Sequence, residues 1–385
     1  MFKEKDQNFW ELASIQSAAI GIPGMIVGGQ ISKQFGFGTA VISIIIGNLI
    51  LWVLELAIIS MTSEGKLNAI ENVKEYLGRF GSILISLVLI LAFWMWFVIQ
   101  LNNSDSILFS AINSYMPIQH QGFSRLGVIL GILISLLSMG GVRLIRIICV
   151  FSLPVLMVFS IYLCVRLVNA SVFEGAWEFS WVGVILVITV ELPGAINLPT
   201  FFRHSRSRYD SFLGLTLMTL LFIFFEFTTV LMGTSNLDVS HLINYDYKLN
   251  SLIPVSIICL FSIISLICIN MVNIYLSSAC WQEIVPKLSG PKKYITIGLI
   301  ATGIYIFIQN SPLMFFVEDL ASCYLANLGI VMIISFLIKV IVQHRLRSFQ
   351  KVLGIVCWLI GCITSTLLLS LDSSNGPRSL IGGVS

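Results

Sequence analysis

Trp96 and Gln100 stand four residues apart in an apolar stretch, on one face of any helix that contains them. An indole plane and a primary amide on one face suit a small flat heterocycle. Stacking supplies affinity without requiring charge, and the amide offers a donor and an acceptor to a ring edge. The same pair also fits a packing aromatic and a polar residue gluing helices together. Glu191 is the most unusual residue in the chain. It lies deep in another apolar stretch beside Pro193-Gly194, where an ionised carboxylate costs several kcal/mol unless paired or hydrated. A proton carrier, a counter-charge for a cationic solute and a partner for an exocyclic amine all fit it; so does satisfaction of unwound backbone. Asn270 and Asn273, three apart on a third stretch, fit either ligand binding or hydrogen bonding between helices.

The elements that must carry these residues are membrane helices. Apolar residues make up 57% of the chain and charged residues 11%, and the mean hydropathy is +0.95, outside the range of a soluble domain. Runs of about 20 apolar residues, enough to cross roughly 30 Å of hydrocarbon, recur along the sequence. They predict eleven spans, at 11–33, 38–62, 81–112, 125–142, 145–168, 180–202, 210–233, 252–284, 293–310, 313–341 and 350–371. Two of them echo each other. Ile22-Pro23-Gly24 in the first and Leu192-Pro193-Gly194 in the sixth each combine a missing backbone donor with a loosened turn. Interrupted helices at matching positions in two halves point to the substrate site of a carrier built from an inverted repeat. Gly24 and Gly194 therefore join the candidate substrate-binding residues. Pairing spans one to five with six to ten inverts the second half, because five is odd. The expected organisation is one transmembrane transporter domain over 1–385, with repeat one at about 11–168, repeat two at about 180–341 and an extra helix at about 350–371.

With the N-terminus in the cytoplasm, 17 of the 22 Lys and Arg residues fall on the cytoplasmic side of this topology, as the positive-inside rule requires. The net charge of +3 is thus a topology signal. The run Arg203-His204-Ser205-Arg206-Ser207-Arg208 reads as a cytoplasmic loop facing anionic headgroups. No nucleic-acid partner is implied; the partners expected are a small-molecule solute and the lipid bilayer of a plasma or inner membrane. The first span runs into further membrane segments and does not read as a cleaved signal. All eight cysteines lie in or beside apolar spans without metal-ligand spacing, so they read as packing residues. No Gly-rich nucleotide loop or HExxH motif occurs and the four histidines fall in loops, which leaves an enzyme reading without support.

Several stretches resemble the nucleobase:cation symporter-1 family, the cytosine permease branch in particular, which also comprises allantoin and hydantoin carriers. They are Ile45-Ile46-Gly47-Asn48-Leu49-Ile50, Trp96-Phe97-Val98-Ile99-Gln100, Ile196 to Arg203 with Asp210, and Asn270 to Ser278. The resemblance implies an all-α twelve-helix carrier of the five-plus-five inverted-repeat, leucine-transporter type. Substrate would lie between broken helices one and six and helices three and eight. It further implies inward movement of a nucleobase such as cytosine or a related heterocycle, with co-transported H+ or Na+ and no cofactor. The tryptophan that stacks on the base in that family matches Trp96, and the glutamine that bonds its edge matches Gln100. The family's substrate-binding asparagine falls at Asn270 or Asn273.

The chain departs from that pattern at four places. Glu191 falls about where the family has a second aromatic, and Thr200 stands where many members have an aspartate. Ile267-Cys268 or Cys268-Ile269 replaces adjacent hydroxyl residues of sodium-coupled members; hard cations prefer oxygen ligands, so the expectation is proton coupling with Glu191 as the carrier. The segment Ser373 to Ser385 stops where a twelfth helix would begin. An amino-acid or amine symporter of the same fold, with Glu191 as counter-charge, is the rival reading. Of the remaining acids in or beside spans, Asp105 is expected on an access path, and Glu318 and Asp319 at an outer gate; solvated helix ends fit these three equally. Glu55 and Glu226 are expected to face protein or water.

Overall fold

The chain begins its described part with a short strap. In the computed structural model, which describes residues 6–63, 67–113, 125–168, 175–234, 254–287, 290–309, 311, 313–342 and 348–373, Gln7 bridges to Ser205. The Gln7 amide donates to the His204 carbonyl at 2.7 Å, and the Arg206 amide donates to the Gln7 carbonyl at 2.9 Å. Asn8 then starts the first helix with a capping box shared with Glu11, which satisfies two otherwise orphaned amides.

Among the described residues the apolar stretches form thirteen α-helices. Span one is α1 (Phe9–Ala18) and α2 (Gly21–Phe35); α3 (Phe37–Ser63), α4 (Ala69–Asn113), α5 (Arg125–Leu137) and α6 (Gly141–Val168) complete the first half. Span six is α7 (Trp181–Ala195) and α8 (Leu198–Phe202), followed by α9 (Arg208–Thr234), α10 (Val255–Ile284), α11 (Pro291–Ile308), α12 (Leu313–Val342) and α13 (Ser348–Ser373). Seven of the described helical stretches are long and apolar enough to cross a membrane. Spans four and five count among them as one continuous stretch; α11 is not among them, nor are the first and sixth spans, each divided in two.

The breaks sit beside the Pro-Gly motifs, not on them. In span one the helix ends before Ala19-Ile20 and resumes at Gly21, so Pro23 falls in the first turn of α2, where its missing donor would be unpaired anyway. In span six the break is at Ile196-Asn197, after Pro193-Gly194, and Pro199 opens α8. Pro199, not Pro193, is therefore the positional counterpart of Pro23. The two tripeptides that echo in sequence flank their breaks from opposite sides. Asn197 fills the gap left in span six: its amide side chain donates to the Pro193 carbonyl at 3.4 Å and its backbone N–H to the Gly194 carbonyl at 3.0 Å.

Helix packing follows the exchange that an inverted repeat requires. Span one lies on span seven (α1 and α2 on α9), and span six lies on span two (α7 on α3). Spans three and eight, which exchange with each other, lie side by side as α4 and α10; spans four and nine do so as α5 and α11. Inside a bilayer close approach of small residues replaces the hydrophobic drive between helices. A Cβ placed on Gly28 of α2 would collide with the Glu226 carbonyl and the Thr229 hydroxyl of α9, and one on Gly233 of α9 would collide with Ser32. The starts of α1, α4 and α6 and the ends of α8, α10 and α12 gather at one end of the bundle, where Glu11 pairs with Arg146 (3.7 Å), Arg203 with Glu71 (3.9 Å), Lys74 with Glu283 (2.8 Å) and Lys339 with Glu75 (2.6 Å).

Span three begins earlier than its hydropathy suggests. Its helix runs from Ala69, with a kink at Gly78 whose φ of 75° lies in the left-handed region that glycine alone adopts at little cost. Apolar side chains at Leu353, Ile360 and Leu367 of α13, seven residues apart, are exposed and form a lipid-facing stripe.

Gly28→Leu should lower the thermal midpoint of the detergent-solubilised protein, through an overpacking cost of about 1–3 kcal/mol. Gly303→Ala, where an added Cβ meets nothing within 4 Å, should leave stability within about 0.5 kcal/mol.

Candidate functional site

A cavity of about 180 Å³ opens where the two breaks face each other. Gln16, Ala19 and Ile20 border it from span one, Phe93, Trp96 and Gln100 from α4, and Thr189 to Glu191, Pro193 to Ala195, Asn197 and Leu198 from span six. Ile269, Val272, Asn273 and Leu276 of α10 close the opposite wall. Glu55 of α3, Met218 and Phe222 of α9, and Asp319, Ser322 and Cys323 of α12 complete it.

The i, i+4 spacing does bring Trp96 and Gln100 to the same wall. Phe93 meets Trp96 edge to face, with ring centroids 5.8 Å apart, which fixes the indole and leaves an aromatic surface toward the cavity. Gln100 is 95% buried (5% exposed) and makes no hydrogen bond among the described residues. Asn273 lines the cavity, whereas Asn270 stands one layer behind it. The Asn270 amide donates to the Phe97 carbonyl of α4 at 3.2 Å, and the Asn273 amide donates to the Asn270 carbonyl oxygen at 3.2 Å. That relay ties α10 to α4 and orients Asn273 so that its own oxygen is left for a ligand donor. Asn270 positions; Asn273 is placed to touch.

Glu191 lies one turn before the span-six break and faces the cavity, and its Oε1 is buried with no hydrogen-bond partner among the described residues. Satisfaction of unwound backbone is not its task here, because Asn197 performs it. Beside it, Gly194 borders open space: an added Cβ would meet nothing within 4 Å. Gly24 falls in α2 by its backbone, and its surroundings lie outside the described residues.

Asp319, Glu55 and Gln16 are among the polar residues that reach the cavity without having been assigned to it from the sequence. Asp319, expected at an outer gate or a solvated end, lines the cavity one turn from Cys323; the shared face was legible as an i, i+4 pair. Glu55 lines it from α3, 5% exposed and without a hydrogen bond among the described residues; a carboxylate in the middle of an apolar span was the available signal. Gln16 lines it from the last turns of α1, with its Nε2 buried and unpartnered among the described residues. The side chain of Glu318 lies outside the described residues.

Other polar residues lie elsewhere. Asp105 is not on an access path: it is buried and accepts the Tyr305 hydroxyl at 3.1 Å, clamping α4 to α11. Glu226 of α9 is fully buried and accepts the Asn48 amide of α3 at 2.5 Å, which accounts for a carboxylate behind the cavity wall. Thr200 of α8 accepts the Ala69 amide at the start of α4 at 3.3 Å, so a helix-capping acceptor stands at this position. Among the described residues no group of three His, Cys, Asp or Glu side chains is close enough to hold a metal ion.

No family model matches the chain, and no curated protein matches it in sequence. In three dimensions it is similar to Mhp1, a nucleobase-cation-symport-1 family transporter in a closed conformation with bromovinylhydantoin bound, with a TM-score of 0.64 and 13% identity over 97% of this chain and 94% of that one. It is similar to a Na+-coupled sialic acid symporter in a substrate-bound outward-open state (TM-score 0.60, 15% identity, 96% of this chain and 93% of that one). It is also similar to MhsT in complex with L-phenylalanine (TM-score 0.61, 14% identity, 96% and 99%). The chain thus has the five-plus-five inverted-repeat fold of the leucine-transporter type, with helices one and six broken, and is a multi-pass integral membrane protein. A hydantoin derivative, a sialic acid and an amino acid are unlike molecules, so the fold by itself names no ligand for this chain.

Asn270→Leu removes the tether to Phe97 and strands the Asn273 amide, and should cost about 1–3 kcal/mol of stability, read as a lower thermal midpoint. Glu191→Gln, which has no protein hydrogen bond to lose, should leave the midpoint of the unliganded protein unchanged or raise it. A fall with Glu191→Gln would reveal a structural role for the carboxylate.

Proposed function

We propose that this chain is a secondary active transporter that imports a small flat nitrogenous heterocycle, a nucleobase such as cytosine or a close relative, in symport with protons. The observation that carries the reading is the convergence of Trp96, Gln100 and Asn273 on one cavity at the two helix breaks. Trp96 offers a stacking face; Gln100 and Asn273 offer amide groups from the adjacent helices α4 and α10 to the edges of a ring. The similarity in fold to a transporter with a hydantoin derivative bound supports a planar ring as cargo.

Glu191 supplies the ionisable group that coupling needs. It is the cavity acid on the broken helix itself, so a change in its charge acts on the segment that must move between outward-facing and inward-facing states. Cys268 is buried between Ile267 and Ile269 on α10, a poor oxygen donor set for sodium. The placement of 17 of 22 basic residues on the N-terminal side supports a cytoplasmic N-terminus in a plasma or inner membrane. An amino-acid or amine symporter is the second reading, favoured by the same unpartnered Glu191 oxygen.

Reconstituted into vesicles with a proton gradient directed inward, the protein should accumulate radiolabelled cytosine. Collapse of the pH gradient should abolish accumulation, and an imposed sodium gradient should not restore it. Trp96→Ala should reduce cytosine affinity by about five- to 150-fold, the loss of one aromatic contact of about 1–3 kcal/mol. Uptake that follows sodium and ignores pH would overturn proton coupling.

A further inference from the structure

The described lining of the cavity is rich in carboxyl groups. Glu55, Glu191 and Asp319 enter it from α3, α7 and α12, and no Lys, Arg or His is among the described residues that line it. Glu226, on α9 behind the wall, is a fourth carboxylate, and the thiol of Cys323 is the other titratable group on the α12 face. The Oε1 of Glu191 is buried with no hydrogen-bond partner among the described residues, and Glu55 is 5% exposed. The carboxylates are dispersed: no three of the acidic, His or Cys side chains among the described residues approach closely enough to share a metal ion. A polyatomic cargo with several N–H donors fits these dispersed carboxyl groups, with no basic side chain among the described lining residues, better than a single ion.

We propose, building on the transporter reading above, that the cargo is bound as a planar cation with an amidinium-type edge, two N–H donors flanking one carbon, docked on both oxygens of Glu191. Such an edge matches a carboxylate in paired, charge-assisted hydrogen bonds. Trp96 takes the face of the ring, where a cation gains further from the indole quadrupole. Gln100 and Asn273 accept or donate at the remaining edge. Asp319 and Glu55 make an anionic ring a poorer fit.

Cytosine carries the neutral form of this edge in its ring nitrogen and adjacent amine, and uracil does not. On binding, the proton moves from the Glu191 carboxyl to the ring nitrogen: one O–H bond breaks, one N–H bond forms, and the pair becomes carboxylate and amidinium. No other reactant takes part. Proton and base then cross the membrane as one ion, so the coupled proton and the recognition of the cargo share a single hydrogen-bonded edge.

Two matched pairs test this on the detergent-solubilised full chain by calorimetry and ligand-induced thermal shift: benzamidine against its neutral isostere benzamide, and cytosine against uracil. Benzamidine and cytosine should bind at least tenfold more tightly than their counterparts, a preference of about 1.4 kcal/mol or more. Glu191→Gln should erase the difference within each pair, while Trp96→Ala should weaken all binders and keep their order. Should Glu191→Gln fail to fold, the wild-type pairs decide alone. Equal binding within the pairs, preference for the neutral member, or no binding by any of the four overturns the proposal. Counterflow of labelled cytosine in vesicles separates this from the carrier reading. Counterflow inhibited equally by benzamide and benzamidine leaves a transporter without the cationic edge; tight benzamidine binding without counterflow leaves the edge without transport.

Discussion

A peptide group that cannot find a hydrogen-bond partner in hydrocarbon governs this molecule. Each such group costs several kcal/mol in lipid, so the two unwound segments at Ala19-Ile20 and Ile196-Asn197 have to be enclosed by protein or by a polar cavity. The architecture is the enclosure. The breaks face each other across the cavity, α4 and α10 form its walls, and Asn197 satisfies the carbonyl freed beside Pro193. What remains unpartnered there among the described residues is an oxygen of Glu191 and the amide nitrogen of Gln16.

Close helix packing makes that enclosure possible. Glycines on α2 and α9 bring two backbones together where any side chain would intervene, and the same approach carries Glu226 to the Asn48 amide. Most charged residues outside the bundle interior lie at the end that also holds the N-terminal strap. There the ion pairs Lys74–Glu283 and Lys339–Glu75 tie the start of α4 to the ends of α10 and α12. Pairs exposed in this way contribute little stability; their consequence is to join elements from both halves of the repeat at one face.

The polar residues divide by what they touch. Asn270, Asn48, Thr200 and Tyr305 hold helices to one another. Gln100, Asn273, Glu191, Glu55 and Asp319 face the cavity. In a membrane protein both kinds are costly and both stand out from the apolar background, so their chemistry alone does not sort them. Asn270 and Asn273 illustrate this: identical side chains one turn apart, one a tether and the other a lining group.

The sequence by itself determined the helical membrane class, the positions of the spans, the two interrupted helices and the pairing of Trp96 with Gln100, because hydropathy over 20 residues, proline and the 3.6-residue period are local properties. It misplaced the breaks by about a turn, since proline is as compatible with the first turn of a new helix as with the end of an old one. Only the tertiary structure decided that Asp319 and Glu55 share a cavity with Glu191 while Asp105 is spent on Tyr305. Those outcomes depend on which helix faces lie opposite each other. Facing is set by close contacts such as Gly28 against Glu226, between residues almost two hundred positions apart, and no local pattern encodes it.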